Sequence, residues 1–347
     1  MCRVPHHVVN GIELSQAYFT DVIEPIVSSR LPGLRYAAGR LGSGSDVLRL
    51  DDDVSRDHDW GLRLNLFVPD DAVSAVRAEL ERGLPRTFQG HPTRFAFTGE
   101  SEPRHHVEVT TTAEFVVGRL GFDPRTGLDA YDWLSLSGQA VLEVAAGPVF
   151  TDLAGELGAA RDALAWYPDD VWRYVLACDW NRISQELPLM GRAADVGDEI
   201  GARIIAARLA HVVLHLALIL ERQWPPYAKW LGTRFAGLEC ARSVGPSVAA
   251  LLGESSAAAR QCALGDALGA LLERQNALGL TNVGDALIPF WDRPYLHPDP
   301  AIAAQLIDGV ADPEVRGLPR GRGSVEQRTD NVDVLVDPRA RRLAVTC

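Results

Sequence analysis

The hydrophobic period of the chain changes once, near residue 145, and that single change limits the folds open to it. Upstream, helical and strand patterns alternate. GIELSQAYFTDVIEPIVSSR (11–30) carries apolar residues at three- and four-residue intervals and reads as a helix stopped by Pro32 and Gly33. DWGLRLNLFV (59–68) reads as a strand ending near Pro69. DDAVSAVRAELERGL (70–84) is a helical pattern with aspartates at its positive end, and TRFAFTG (93–99) and HHVEVTTTAEFVV (105–117) are two more strand candidates. Downstream, long helical segments take over at 147–164, 166–190 and 195–223, the last closed by Pro225 and Pro226. The expected class is therefore α+β: a mixed sheet with helices over residues 1–145, a mainly helical bundle over 146–310, and a C-terminal extension over 311–347 that packs on the body and contributes a strand or two.

The most apolar stretch, AARLAHVVLHLALIL (206–220), approaches the length of a membrane span. Arg208, His211 and His215 interrupt it on roughly one helical face, so a core helix with one polar side is the expected role. His211 and His215 are four apart, but Val-Val-Leu between them lacks the glutamate of a His-Glu-x-x-His zinc site. The net charge of -12 and the lack of a Lys/Arg block disfavour long nucleic acid as a partner. Five cysteines at 2, 178, 240, 262 and 347 form neither a disulfide scaffold nor a zinc pair. With no signal-peptide pattern at the start, the expected compartment is the cytoplasm, and the expected state a monomer or homodimer.

The block that points to chemistry is GSGSDVLRLDDDVSRDHDWG (42–61). Asp57 and Asp59, two apart at the start of a strand, send their carboxylates to one face. Paired carboxylates repel, and a hard divalent cation such as Mg2+ relieves the repulsion while bridging to phosphate. Gly44 and Ser45 lie thirteen and twelve residues before Asp57. Small residues there let backbone N–H groups approach phosphate oxygens, and the serine hydroxyl adds a donor. A third carboxylate is expected from another strand. Glu108, between Val107 and Val109, is the first choice, as metal ligand or as base, with Glu114 the competitor.

Gly44-Ser45, the spacer of about a dozen residues, Asp57-His58-Asp59 and a later acid resemble the signature of the DNA polymerase beta-like nucleotidyltransferase superfamily. More closely, GSGSDVLRLDDDVSRDHDWG, WYPDDVWRYVLACDW, KWLGTRF and SVEQRTDNVDVL together resemble the bacterial family called domain of unknown function 4037. The resemblance implies a mixed sheet with an attached helical bundle, similar in outline to nucleotidyltransferases that modify small molecules. It implies no particular substrate.

The expected reaction moves a nucleoside monophosphate from a nucleoside triphosphate, ATP being the expected donor, to a hydroxyl or amine of a small molecule, with two Mg2+ ions held by Asp57, Asp59 and Glu108. Gly44 and Ser45 cradle phosphate. Lysine is scarce in the chain, and Lys229 in PPYAKWLGTRF is a candidate to neutralise the β- or γ-phosphate, as is Arg173 in DDVWRYVLACDW. The alternatives are a non-catalytic nucleotide-binding regulatory protein, or a nucleotidyltransferase acting on a protein or a tRNA. Neither Gly-x-Ser-x-Gly nor a Gly-x-Gly-x-x-Gly fingerprint after a strand is present to suggest a hydrolase or a dehydrogenase.

Overall fold

The computed structural model describes residues 10–50 and 60–346. The expected Asp57 and Asp59 lie outside the described residues, as does the acidic run 51–53. Contacts gather the chain into two compact units, residues 1–127 with 140–165 and residues 128–139 with 166–347.

The first unit is built on a four-stranded mixed sheet, in the order His106–Thr110, Arg63–Phe67, Ala37–Gly39, Val149–Asp152. The first two strands are parallel, with Asn65 opposite Glu108, and the remaining pairs are antiparallel. Alternation sorts their side chains. Leu64, Leu66, Val107 and Val109 share one face, and they join Leu14, Tyr18, Ile23 and Val27 of the opening helical segment in one buried cluster. Each fully buried leucine there contributes about 1.5–3 kcal/mol relative to exposure. The opposite face therefore carries Asn65 and Glu108 side by side. The expected opening helix is present as three consecutive pieces, Gly11–Tyr18, a π-helical stretch Phe19–Ile23, and Glu24–Arg30. The aspartate-led helix is found as a 3-10 turn Asp70–Ala72 continued by Val73–Gly83.

Two strand expectations need correction. The 105–117 strand ends at Thr110, because Thr111 forms a reciprocal capping box with Glu114 and starts the helix Thr112–Leu120, which closes on Gly121 at φ 94°. Local capping of orphan N–H groups outweighs the β-branched run. Of the 93–99 segment only one bridge forms, Phe95 with Arg104. Its aromatic residues pack around His106 instead, with the Phe97 and His106 rings stacked at 3.7 Å.

The second unit is helical. Asp169–Asp195 and Glu199–Leu220 pack on each other, and Ala228–Ala236, Ala241–Gly253, Ala257–Ala277 and Pro300–Asp308 complete the main bundle. Glu199–Leu220 is long and apolar enough to cross a membrane by length and composition, but Leu209, Val213, Leu216, Leu218 and Ile219 are fully buried within the bundle. Its polar side meets acids of the facing helix: His215 Nδ1 lies 2.8 Å from Asp179 Oδ2 and Arg208 Nη2 2.7 Å from Glu186 Oε1. The buried His215–Asp179 contact and the pairing of exposed Arg208 with buried Glu186 account for the polar stripe on so apolar a helix. The C-terminal stretch is helical where a strand or two was expected, in the pieces Pro313–Arg316, Val325–Arg328, Val332–Val336 and Pro338–Thr346. Side-chain caps at Asp312 and Asn331 and a capping box at Ser324 begin the first three. Buried Arg341 ties the last piece down by donating to the carbonyls of Ser135 and Leu335.

Candidate functional site

The loop that leaves the Ala37–Gly39 strand is shaped by one buried ion pair. Arg40 Nε donates to Asp46 Oδ2 at 2.7 Å and Nη2 to Asp46 Oδ1 at 2.9 Å, while Nη1 and Nη2 reach the carbonyls of Leu41 and Ser43. Both side chains are nearly inaccessible, at 2% and 9% exposure, so the bidentate geometry fixes residues 40–46 as a unit. Gly44 has φ 131°, and a Cβ there would lie 2.2 Å from Asp46 Oδ1 and 2.7 Å from Arg40 Nη2. The glycine of the Gly-Ser pair is therefore required by the loop itself. Ser45 is half-buried and its carbonyl accepts from Leu50 N.

On the sheet beside this loop, the Asn65 carboxamide joins loop and acid. Its Oδ1 accepts from Leu41 N at 2.8 Å and its Nδ2 donates to Glu108 Oε2 at 2.7 Å. The parallel register that places Asn65 opposite Glu108 makes this contact possible. Glu108 is half-exposed. Arg119, from the helix that begins at Thr112, brings Nη2 to 3.8 Å from Glu108 Oε2 and Nε to 3.5 Å from Glu143 Oε2, with its guanidinium stacked 3.6 Å from the Phe115 centroid. Burial pulls the Arg119 pKa below its usual value, against the opposing charges of Glu108 and Glu143.

These groups border a cavity of about 740 Å³ lined by Arg40, Ser43, Arg63, Asn65, Arg119 and Glu108 among others. That volume is in the range of a small-molecule site. Arg77 and Arg104 also reach the lining; Arg77 donates to Val109 O on the edge strand, and Arg63 sits 5.0 Å over the Phe97 ring. His106 carries Nε2 2.8 Å from Phe95 O, and burial lowers the pKa of both His105 and His106, favouring neutral rings. A cavity dominated by guanidinium groups attracts an anion, and the Glu108 carboxylate supplies a hard oxygen donor suited to a divalent cation.

Of the residues singled out in the sequence, Gly44, Ser45 and Glu108 are brought to this region, with Ser43 lining the cavity directly. Among the described residues no group of three His, Cys, Asp or Glu could hold a metal ion, and the expected Asp57 and Asp59 lie outside them. Glu114 serves the capping box: its Oε2 accepts from Thr110 Oγ1 at 2.7 Å, and these hydrogen bonds hold its carboxyl below the usual range. Arg173 belongs to the second unit, where Nη1 donates to Leu280 O at 3.3 Å and the guanidinium abuts Gly309. Lys229, also in the second unit, is exposed at the start of Ala228–Ala236, with Nζ 4.9 Å from the Trp230 ring; Trp230 Nε1 donates to Tyr227 Oη. Sequence reasoning missed Arg40, Asn65 and Arg119. Asn65 was findable, since it has the same parity as Phe67 on a strand whose Leu64 and Leu66 face the core.

Residues 133–231 match the family described as Domain of unknown function (DUF4037). The match contains WYPDDVWRYVLACDW and the start of KWLGTRF, while the Gly-Ser loop and Glu108 precede it. Among solved structures, the crystal structure of a nucleotidyltransferase-like protein from Exiguobacterium sibiricum 255-15 covers 76% of this chain and 76% of its own, at 13% identity and a TM-score of 0.34. So loose a likeness carries no argument about this chain. No curated protein matches.

Proposed function

We propose that the chain is a metal-dependent nucleotidyltransferase that moves a nucleoside monophosphate from a nucleoside triphosphate, ATP being the expected donor, to a hydroxyl or amine of a small molecule. The observation that supports this most is the juxtaposition, bridged by Asn65 of the intervening strand, of a rigid Gly-Ser loop with the Glu108 acid at one arginine-lined cavity, in the order that the superfamily signature requires. Glu108 with Asp57 and Asp59 would hold Mg2+, which supplies charge neutralisation at the α-phosphate.

The chain's own groups have separable tasks. Residues 43–45 would offer backbone N–H groups to phosphate oxygens, and Arg40 with Asp46 keeps them from rearranging. Asn65 orients the Glu108 carboxylate. In the transfer, the acceptor oxygen or nitrogen bonds to the α-phosphorus as the bond to the leaving pyrophosphate breaks, and the acceptor proton passes to a carboxylate or to solvent. Arg63 and Arg119 face the charge that builds on the departing phosphates.

The test is a screen for pyrophosphate release from ATP, GTP, CTP and UTP with Mg2+ across pooled hydroxyl and amine acceptors. Release that vanishes in the Asp57→Asn/Asp59→Asn double variant, with circular dichroism unchanged, is the expected result. Nucleotide binding without release under any acceptor supports the non-catalytic reading instead, and full turnover in the double variant removes the assignment.

A further inference from the structure

The helical unit encloses a cluster of titratable groups that the proposed chemistry does not use, and it lies where two of the phrases that carry the family resemblance meet. Asp179, in WYPDDVWRYVLACDW, has Oδ2 2.8 Å from His215 Nδ1, and its Oδ1 accepts from Gln327 Nε2 at 2.6 Å. Gln327 and its neighbour Glu326 belong to SVEQRTDNVDVL. Glu326 Oε1 accepts from Gly138 N at 2.9 Å, whereas Glu326 Oε2 and His215 Nε2, both sealed from solvent, have no hydrogen-bond partner among the described residues. The Glu326 carboxyl faces His215 from Glu199–Leu220, Asp179 from Asp169–Asp195, Tyr167 just before that helix, and Arg341 from Pro338–Thr346. His211, one turn before His215, faces it along the same helix.

The same cluster seats a stretch of the C-terminal extension on the bundle. Gln327 Nε2 also donates to Val175 O at 2.9 Å, and the Tyr174 hydroxyl donates to Pro319 O at 2.7 Å and accepts from Gly323 N at 3.3 Å. Residues 319–327 therefore run along the 174–179 turn of the long helix. They cover Cys178, which is 3% exposed and lies against the backbone of Gly321 and Gly323. While Glu326 keeps its proton, the Asp179 carboxylate has the His215 imidazole to itself. Loss of that proton puts a second carboxylate into the enclosure, with one oxygen that no donor meets, and water is the better place for it. Arg341 draws the new charge, but its Nε and Nη1 are donated to the carbonyls of Ser135 and Leu335. Burial accordingly pushes the Glu326 carboxyl up to about 7, and in an opened stretch it returns to the ordinary 4.5.

We infer that Glu326 is the proton-operated catch of a latch: protonated, it keeps residues 319–328 seated on the bundle, and once ionised it lets that stretch open locally, uncovering Asp179 and Cys178 while the rest of the helical unit stays folded. The closed state holds a proton that the open state has released, so opening grows as pH rises from 4.5 to about 7 and levels off above. His215 acts in the same direction at higher pH. Burial works to lower its pKa, the Asp179 charge and hydrogen bond outweigh burial, and the closed state therefore keeps the imidazole proton above 6.5 as well.

The experiment is thiol labelling of the full chain at pH 5 and pH 7 with an aromatic disulfide reagent, read at each cysteine by peptide mapping. Each rate is divided by that of the urea-unfolded chain at the same pH, which removes the pH dependence of the thiolate itself. Cys178 reports the latch, and Cys240, 6% exposed at the start of Ala241–Gly253, reports the rest of the unit. One proton held at about 7 in the closed state and at 4.5 in the open state raises the Cys178 ratio roughly 30-fold between the two pH values, while the Cys240 ratio changes less than about 3-fold. Glu326→Gln can still accept from Gly138 N but has no proton to lose, and its Cys178 rise should fall below about 5-fold. A wild-type Cys178 ratio that does not rise, Cys178 and Cys240 rising together as whole-unit unfolding requires, or a full rise kept in Glu326→Gln overturns the inference. Should Glu326→Gln not fold, Glu326→Leu takes its place with the same expected and overturning results, and the two wild-type ratios decide the question should neither fold.

Discussion

Asp46→Ala should unfold the loop that the proposed site is built on. The substitution removes two charge-assisted hydrogen bonds, at 2.7 and 2.9 Å, and leaves the Arg40 guanidinium at 2% exposure without a counter-charge. Breaking a buried pair from one side costs about 3–5 kcal/mol. Arg40 retains its contacts with the carbonyls of Leu41 and Ser43, which places the cost near the lower end, about 3 kcal/mol. Tryptophan fluorescence is a poor reporter, since Trp60 is the one tryptophan in residues 1–127 and 140–165 and the other seven lie in the helical unit. Hydrogen exchange of the Arg63–Phe67 amides reads the right unit. A loss of about 3 kcal/mol speeds exchange roughly 100-fold for amides that open with that unit. The double variant Arg40→Met/Asp46→Leu should recover at least half of the loss, because two apolar side chains leave no buried charge. Exchange within a factor of about 5 of wild type in Asp46→Ala, a cost under about 1 kcal/mol, would refute the view that this pair fixes the loop.

Further expectations concern other elements. Gly44→Ala forces a Cβ to within 2.2 Å of Asp46 Oδ1 at a left-handed φ, so it should abolish ATP binding and cost at least about 1–2 kcal/mol in urea unfolding of the first unit. Thr111→Ala removes the cap of Thr112–Leu120 and should lower stability by about 0.5–2 kcal/mol, measured the same way; an unchanged midpoint contradicts the capping account. In the helical unit, burial pushes Glu326 from 4.5 up to about 7, and the folded state thus holds a proton that the unfolded state has released. Stability from this group falls as pH rises from about 4.5 towards 7. For His215, burial works to lower the pKa, but the Asp179 charge and hydrogen bond outweigh it and hold the value above 6.5. Its stabilisation is complete below 6.5 and fades as pH climbs through the raised value, so the two effects have the same sign. Glu326→Gln, which can still accept from Gly138 N, should flatten the fall in Tm between pH 5 and 8; a slope unchanged from wild type sinks the assignment.

How much of this was legible in the sequence depended on whether local or distant contacts decided each position. The sheet face of Glu108 followed from alternation with Val107 and Val109, and the helix after Pro69 from its period. The strand ends did not follow, because Thr111 and Glu114 satisfy each other across three residues and convert a β-branched run into a helix. That misreading also hid Arg119, whose approach to Glu108 exists only if 112–120 is helical. Asp46 drew no reading from the sequence, because a pairing such as that with Arg40 leaves no periodic trace in it. Polar residues on the apolar helix were legible as a stripe, but their partners Asp179 and Glu186 belong to another helix and only packing reveals them.

The central claim is that Glu108 and the Gly-Ser loop belong to one metal-dependent nucleotide site. The most direct measurement is calorimetric titration of ATP into wild type and Glu108→Gln, each with Mg2+ and with EDTA. The account predicts binding by wild type that needs Mg2+ and is weakened at least about 10-fold in Glu108→Gln, since a carboxylate ligand is lost while the Asn65 contact can persist. Equal ATP affinity in all four titrations, or none in wild type with Mg2+, would contradict it.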